Sequence, residues 1–79
     1  MRIVITKLAQ KQIKALDGKT KERIKNAILE LPMGDVNKLK GYETKYRLRV
    51  GDYRVIYDQT ANDVEIRAVL PRGEAYKKL

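Results

Sequence analysis

The sequence predicts a single small α+β domain. It reads as an N-terminal strand, an antiparallel hairpin of two helices, a three-stranded antiparallel meander and a short C-terminal tail. Two patterns support this. Between Lys7 and Leu31, apolar residues recur at helical spacing. From Tyr46 to Ala68 they recur at every second position, the period of a half-buried strand. At 79 residues the chain has room for one core, so residues 1–79 are expected to form one domain.

Arg2-Ile3-Val4-Ile5 is β-branched and reads as a short strand, and Thr6 follows where a helix N-cap would sit. Ala9, Ile13 and Leu16 then fall at i, i+4 and i+7, which predicts a helix over Lys7 to Leu16 ending at Asp17-Gly18. Ile24, Ala27, Ile28 and Leu31 predict a second helix from about Lys19 to Leu31, closed by Pro32. The short turn between them makes an antiparallel hairpin. Residues 33–44, with Met33-Gly34-Asp35 and Gly41, read as a connecting loop. The three strands of the meander follow, with Gly51-Asp52 as a two-residue turn of the primed type. Gln59 to Asn62 forms the second connection, and Pro71 closes the third strand.

Composition excludes several kinds of chemistry. The chain has no Cys, His or Ser. A disulfide framework, a thiolate or serine nucleophile and the usual zinc sites are therefore unavailable. No apolar run approaches membrane-spanning length and no signal peptide is readable, so the expected compartment is the cytoplasm. Eighteen Lys and Arg against ten Asp and Glu give a net charge of +8, which favours a polyanionic partner.

The turn sets the register of the first hairpin. It pairs Val50 with Tyr53, Arg49 with Arg54, Leu48 with Val55, Arg47 with Ile56 and Tyr46 with Tyr57. Tyr46, Leu48, Val50, Tyr53, Val55 and Tyr57 then face the helices. Lys45, Arg47, Arg49 and Arg54 face the other way, onto a side left open. If Asp58 pairs with Asp63, Arg67 lands beside Arg54. In the third strand, Val64, Ile66 and Ala68 would alternate against Glu65, Arg67 and Val69. Like charges directly opposite, as at Arg49 and Arg54, are destabilising. The cluster is either a solvated polar face, partly neutralised by Asp52 or Glu65, or a phosphate-binding platform, for which the planar guanidinium fork is suited. Asp58 and Asp63 flank a turn and read as turn residues, and no metal site is expected.

The run Tyr46-Arg47-Leu48-Arg49-Val50-Gly51-Asp52-Tyr53-Arg54-Val55-Ile56-Tyr57, followed by an alternating strand and by Arg72 and Tyr76 near the end, resembles the RelE/ParE superfamily. These are toxins of prokaryotic type II toxin–antitoxin pairs, and the resemblance spans the whole chain. It implies the RelE-like two-layer fold and, in the RelE branch, ribosome-dependent cleavage of mRNA that inhibits translation. It further implies a cognate antitoxin with an acidic or partly disordered segment, in a toxin–antitoxin hetero-oligomer. The matching positions are Arg47, Arg49, Arg54, Arg72 and Tyr76. The sequence departs from the family where a histidine often precedes the C-terminal arginine, because Pro71 stands there.

Metal-free RNA cleavage by the 2′-OH needs a base, donors for the phosphorane charge and a proton for the leaving 5′-oxygen; no cofactor is expected. On this reading the catalytic set is Arg49, Arg54, Arg72 and Tyr76, with Tyr76 as base or 2′-OH-positioning group and Arg54 and Arg72 stabilising the phosphate. The RNA-binding set is Lys45, Arg47, Arg49 and Arg67. The alternative is a ParE-like toxin that inhibits gyrase by binding, without nuclease activity. A nonenzymatic RNA-binding module is disfavoured, because the meander tyrosines alternate to the core side.

Overall fold

The computed structural model describes residues 2–71. Five strands and two helices follow in the order β1 (Arg2–Ile5), α1 (Lys7–Lys14), α2 (Gly18–Leu29), β2 (Val36–Lys38), β3 (Lys45–Val50), β4 (Tyr53–Gln59) and β5 (Asp63–Pro71). The α+β class holds, but the three-stranded meander does not describe the sheet. The sheet is five-stranded and mixed, in the order β1-β5-β4-β3-β2. β1 runs parallel to β5, and every other neighbouring pair is antiparallel.

Both additions to the meander occupy its edges. β5 has one side free after pairing with β4. The apolar run Ile3-Val4-Ile5 fills it, with Arg2 N–H donating to Asn62 O at 3.0 Å. At the other edge, Val36-Asn37-Lys38 pairs with Leu48-Arg47-Tyr46. This strand lies within the segment expected to be a loop. It is too short to show a period, and the glycines around it, Gly34 and Gly41, both take positive φ as turn residues do.

The helix ends follow capping chemistry. Thr6 Oγ1 accepts from Ala9 N–H at 3.2 Å and starts α1 as expected. α1 ends at Lys14, short of Leu16. Asp17, expected to stop the first helix, instead caps the second by accepting from Thr20 N–H. The Thr20 side chain is the main cause holding its carboxyl below the ordinary value, with backbone N–H groups, that of Thr20 among them, adding to it against the opposing effect of burial.

The Gly51-Asp52 turn sets the β3–β4 register expected from the sequence, from Val50–Tyr53 through Tyr46–Tyr57 and one step further to Lys45–Asp58. Gly51 has φ +58° and Asp52 has no positive φ, the pattern of a II′ turn. The β4–β5 register departs from expectation. Ile56 pairs with Ala68 but Tyr57 with Ile66, so Arg67 is an extra residue in a bulge. Asp58 pairs with Glu65, not with Asp63, and Arg54 lies opposite Leu70, not beside Arg67. The bulge also changes the phase of β5, so Val69, not Ala68, joins Val64 and Ile66 in the core.

The main core lies between the helices and one sheet face, built from Ala9, Ile13, Ile24, Ile28, Leu31, Leu48, Val55, Tyr57, Val64, Ile66 and Val69. α1 packs on β5 and α2 on β3. Beyond Ile5, the side of β5 away from β4 is paired with no strand among the described residues, and Gln12 of α1 takes over there, accepting from Val69 N–H at 2.7 Å. Tyr57 stacks on Tyr46 with ring centroids 5.6 Å apart. Its hydroxyl is buried with no hydrogen-bond partner among the described residues, and burial, with Tyr46 adding to it, pushes its pKa up to about 12.

Two stability predictions follow from this packing. Val69→Asp, which places a carboxylate in the core, costs more than about 3 kcal/mol and abolishes cooperative urea unfolding, whereas Ala68→Asp retains it. Tyr57→Phe removes an unsatisfied buried hydroxyl and raises the urea-derived stability by about 1 kcal/mol.

Candidate nucleic-acid interface

The sheet face away from the helices carries the expected basic residues, but it is neither open nor uniformly charged. Leu39, in the loop after β2, folds across it and packs on Ile56 and Leu70 in a second small apolar cluster. Leu39 N–H donates to Lys45 O at 2.9 Å, which holds the loop against the start of β3. Ile56 is only 1% exposed. The apolar cluster divides the charged residues into two groups.

The first group is at the turn end. Arg49 and Arg54 are cross-strand partners, as the register required. Arg49 is exposed, and its main chain is tied to the β2 approach by an N–H bond to Asp35 O at 2.9 Å. Arg54 is only 7% exposed. Its guanidinium donates to Tyr53 O at 3.2 Å, and among the described residues neither Arg49 nor Arg54 takes part in an ion pair. A buried guanidinium beside a second one is costly without an anion. Arg47, half-buried on β3 between Asn37 and Ile56, lies between the two groups.

The second group is at the opposite end and centres on a carboxylate. Asp58 Oδ2 accepts from Arg67 Nε at 2.7 Å and from Lys45 Nζ at 3.3 Å, and Oδ1 accepts from Thr44 Oγ1 at 3.1 Å. Arg67 also pairs with Glu65 at 2.8 Å, so Glu65 neutralises Arg67 and not Arg49 or Arg54. The bulge gives Arg67 this position, and Lys45 faces Asp58 through the β3–β4 register. Lys45 Nζ also lies 5.9 Å from the Tyr42 ring centroid, within cation–π range. Burial opposes ionisation of Asp58, but the hydrogen bonds from Arg67, Lys45 and Thr44 prevail and hold its carboxyl below the usual value. Asp58 raises the Arg67 pKa in return.

Of the expected site residues, the structure brings Arg49 and Arg54 together, and it places Lys45 and Arg67 in a different cluster. Arg72 and Tyr76 lie outside the described residues. Asp58 was expected to be a turn residue but is a strand residue. One further step of the β3–β4 register, from Tyr46–Tyr57 to Lys45–Asp58, would have identified it.

A carboxylate with a depressed folded-state pKa stabilises the fold above its unfolded pKa. That contribution is lost as pH falls through the folded value. At pH 7, Asp58→Asn should therefore lower urea-derived stability by about 1–2 kcal/mol. The gap between variant and wild type should close as both are acidified below the ordinary carboxylate range of about 4.

Comparison with known proteins agrees with this architecture. Residues 3–76 match the family described as the ParE toxin of the type II toxin–antitoxin system parDE. The chain is 32% identical to Toxin RelE3 of Methanocaldococcus jannaschii over 96% of each protein. It superposes on a chain of the RelB–RelE antitoxin–toxin complex from Methanococcus jannaschii with a TM-score of 0.81 and 30% identity, covering 96% of this chain and 98% of that one. A chain of the archaeal RelE–RelB complex from Pyrococcus horikoshii superposes with a TM-score of 0.72 and 32% identity, covering 94% and 97%. By sequence and by fold alike, the chain belongs to the ParE toxin family of type II toxin–antitoxin systems and is a RelE-like member of it.

Proposed function

We propose that this toxin is a ribosome-dependent mRNA endonuclease, held in check by a cognate antitoxin. The observation that supports this most is the Arg49–Arg54 pair. Two arginines directly opposite each other across the hairpin, one of them buried, take part in no ion pair among the described residues. A phosphate placed between them would relieve their repulsion and receive charge-assisted hydrogen bonds.

On this reading the 2′-oxygen of one nucleotide bonds to the adjacent phosphorus and the bond from phosphorus to the 5′-oxygen breaks. The 2′-OH proton passes to a base, the role assigned to Tyr76, and the leaving 5′-oxygen takes up a proton. Arg49, Arg54 and Arg72 balance the charge that builds on the phosphorane. Arg47 holds neighbouring backbone phosphate. The described part of the site has few groups to orient RNA, which supports a role for the ribosome in positioning the message. Such a partner places the activity in the cytoplasm. Among the described residues no helix is long and apolar enough to cross a membrane.

The antitoxin follows from two supports. Solved relatives at 30% and 32% identity come from RelB–RelE complexes, and a chain of net charge +8 complements an acidic segment. The family description as a ParE toxin favours a second reading, inhibition of gyrase by binding alone.

The two readings separate in a translation reaction with purified ribosomes and a defined mRNA, mapped by primer extension. The nuclease reading expects cuts on translated message, slow or no cleavage of free RNA, and a loss of about 100-fold or more in Arg49→Ala and in Tyr76→Phe. Absence of cuts, together with inhibition of gyrase supercoiling that survives Tyr76→Phe, would establish the second reading.

A further inference from the structure

The two ends of the basic face differ in charge. At the Lys45 end, two cations, Lys45 and Arg67, are matched by two carboxylates, Asp58 and Glu65, in ion pairs of 2.7 to 3.3 Å. At the turn end, Arg49 and Arg54 take part in no ion pair among the described residues. The Asp58 side chain is 14% exposed and is held from three directions, by Thr44 before β3, Lys45 on β3 and Arg67 on β5.

We propose that Asp58 is an internal counter-ion that fixes which part of the face binds phosphate. It occupies Lys45 and Arg67, confines a polyanion to the Arg49–Arg54 end, and limits the affinity of the whole face for polyanions. Asp58 is thus a positioning residue that acts through the cations it holds. The inference rests on the RNA-binding part of the proposed function and not on cleavage.

A phosphate approaching Lys45 or Arg67 meets a carboxylate already making charge-assisted bonds to both. Binding there must either displace a largely buried anion or bring a second anion beside it. Cations already paired within the protein contribute little to the release of counter-ions from RNA, which drives most of the affinity. Asparagine keeps the shape of Asp58 and removes its charge, so it should return Lys45 to the face, while Arg67 keeps its ion pair with Glu65.

The test uses a short single-stranded 2′-O-methyl RNA, which lacks the attacking hydroxyl, and inorganic polyphosphate as a second probe. Binding is measured across a salt series at pH 7, with folding checked by circular dichroism. Glu22→Gln serves as the control, because it makes the same change in net charge on an exposed position of α2. Asp58→Asn should bind the oligonucleotide about 10-fold more tightly than wild type at low salt. Its salt slope should steepen by about 0.7, for one additional phosphate contact to a single strand, while Glu22→Gln stays at the wild-type values. Equal affinity of Asp58→Asn and wild type for both probes would overturn the proposal, as would equal tightening in Glu22→Gln. If neither wild type nor Asp58→Asn bound the oligonucleotide, but Asp58→Asn bound polyphosphate more tightly, the role of Asp58 would stand and the RNA reading would fall. If Asp58→Asn does not fold, Arg67→Gln decides. It should weaken oligonucleotide binding by less than about threefold, against about 10-fold for Arg49→Gln; equal losses would overturn the proposal.

Discussion

The register of the β3–β4 hairpin is the constraint on which the rest of the molecule depends. A two-residue turn with Gly51 at φ +58° fixes it. Six cross-strand pairs follow, and four of them set the core and the charges of the sheet. Tyr46 against Tyr57 and Leu48 against Val55 supply the centre of the core. Arg49 against Arg54 makes the cationic pair, and Lys45 against Asp58 makes the neutral end of the same face. A slip of one residue would exchange the core and the charges. The apolar half of the hairpin therefore does double duty: the energy gained by burying its tyrosines, leucine and valines holds two arginines side by side that would otherwise separate.

Much of this was legible in the sequence because it rests on local rules. Gly-Asp between two alternating runs specifies a turn and hence a register, and Thr6 before a helical period specifies a cap. What was not legible depended on contacts between distant parts of the chain. β2 is three residues with one apolar side chain, and only the exposed edge of β3 makes it a strand. The parallel pairing of β1 joins residues about 60 positions apart and has no local signature. The bulge at Arg67 left a trace, since Val69 and Leu70 are adjacent apolar residues on opposite faces, but strict alternation across that point hid it. Placing Val69 outward came from that assumed alternation, and placing Arg67 beside Arg54 came from pairing Asp58 with Asp63, where the structure pairs Asp58 with Glu65.

The candidate site shows the same division. The Arg49–Arg54 pair was legible because both residues lie within one hairpin. The burial of Arg54 was not, because it depends on packing beyond the hairpin. The separation of Lys45 and Arg67 from the arginine pair depends on Leu39 crossing the face and on Asp58 drawing both cations to itself. A face that looks evenly basic in sequence thus becomes polarised in three dimensions. One end is charge-balanced and internally bonded, and the other presents charge that a ligand can satisfy. On the proposed function that asymmetry would direct RNA to one place, since an evenly basic sheet would bind it in many registers.

The central claim is that the Arg49–Arg54 end of the sheet is where a polyanion binds. The most direct measurement is an NMR titration of the protein with a non-cleavable single-stranded RNA, following the arginine Nε–H and backbone amide signals. Binding as described here would shift Arg49, Arg54 and the residues around the Gly51 turn first, with α1 and α2 unmoved. Shifts confined to the helices, with both arginines silent, would contradict it.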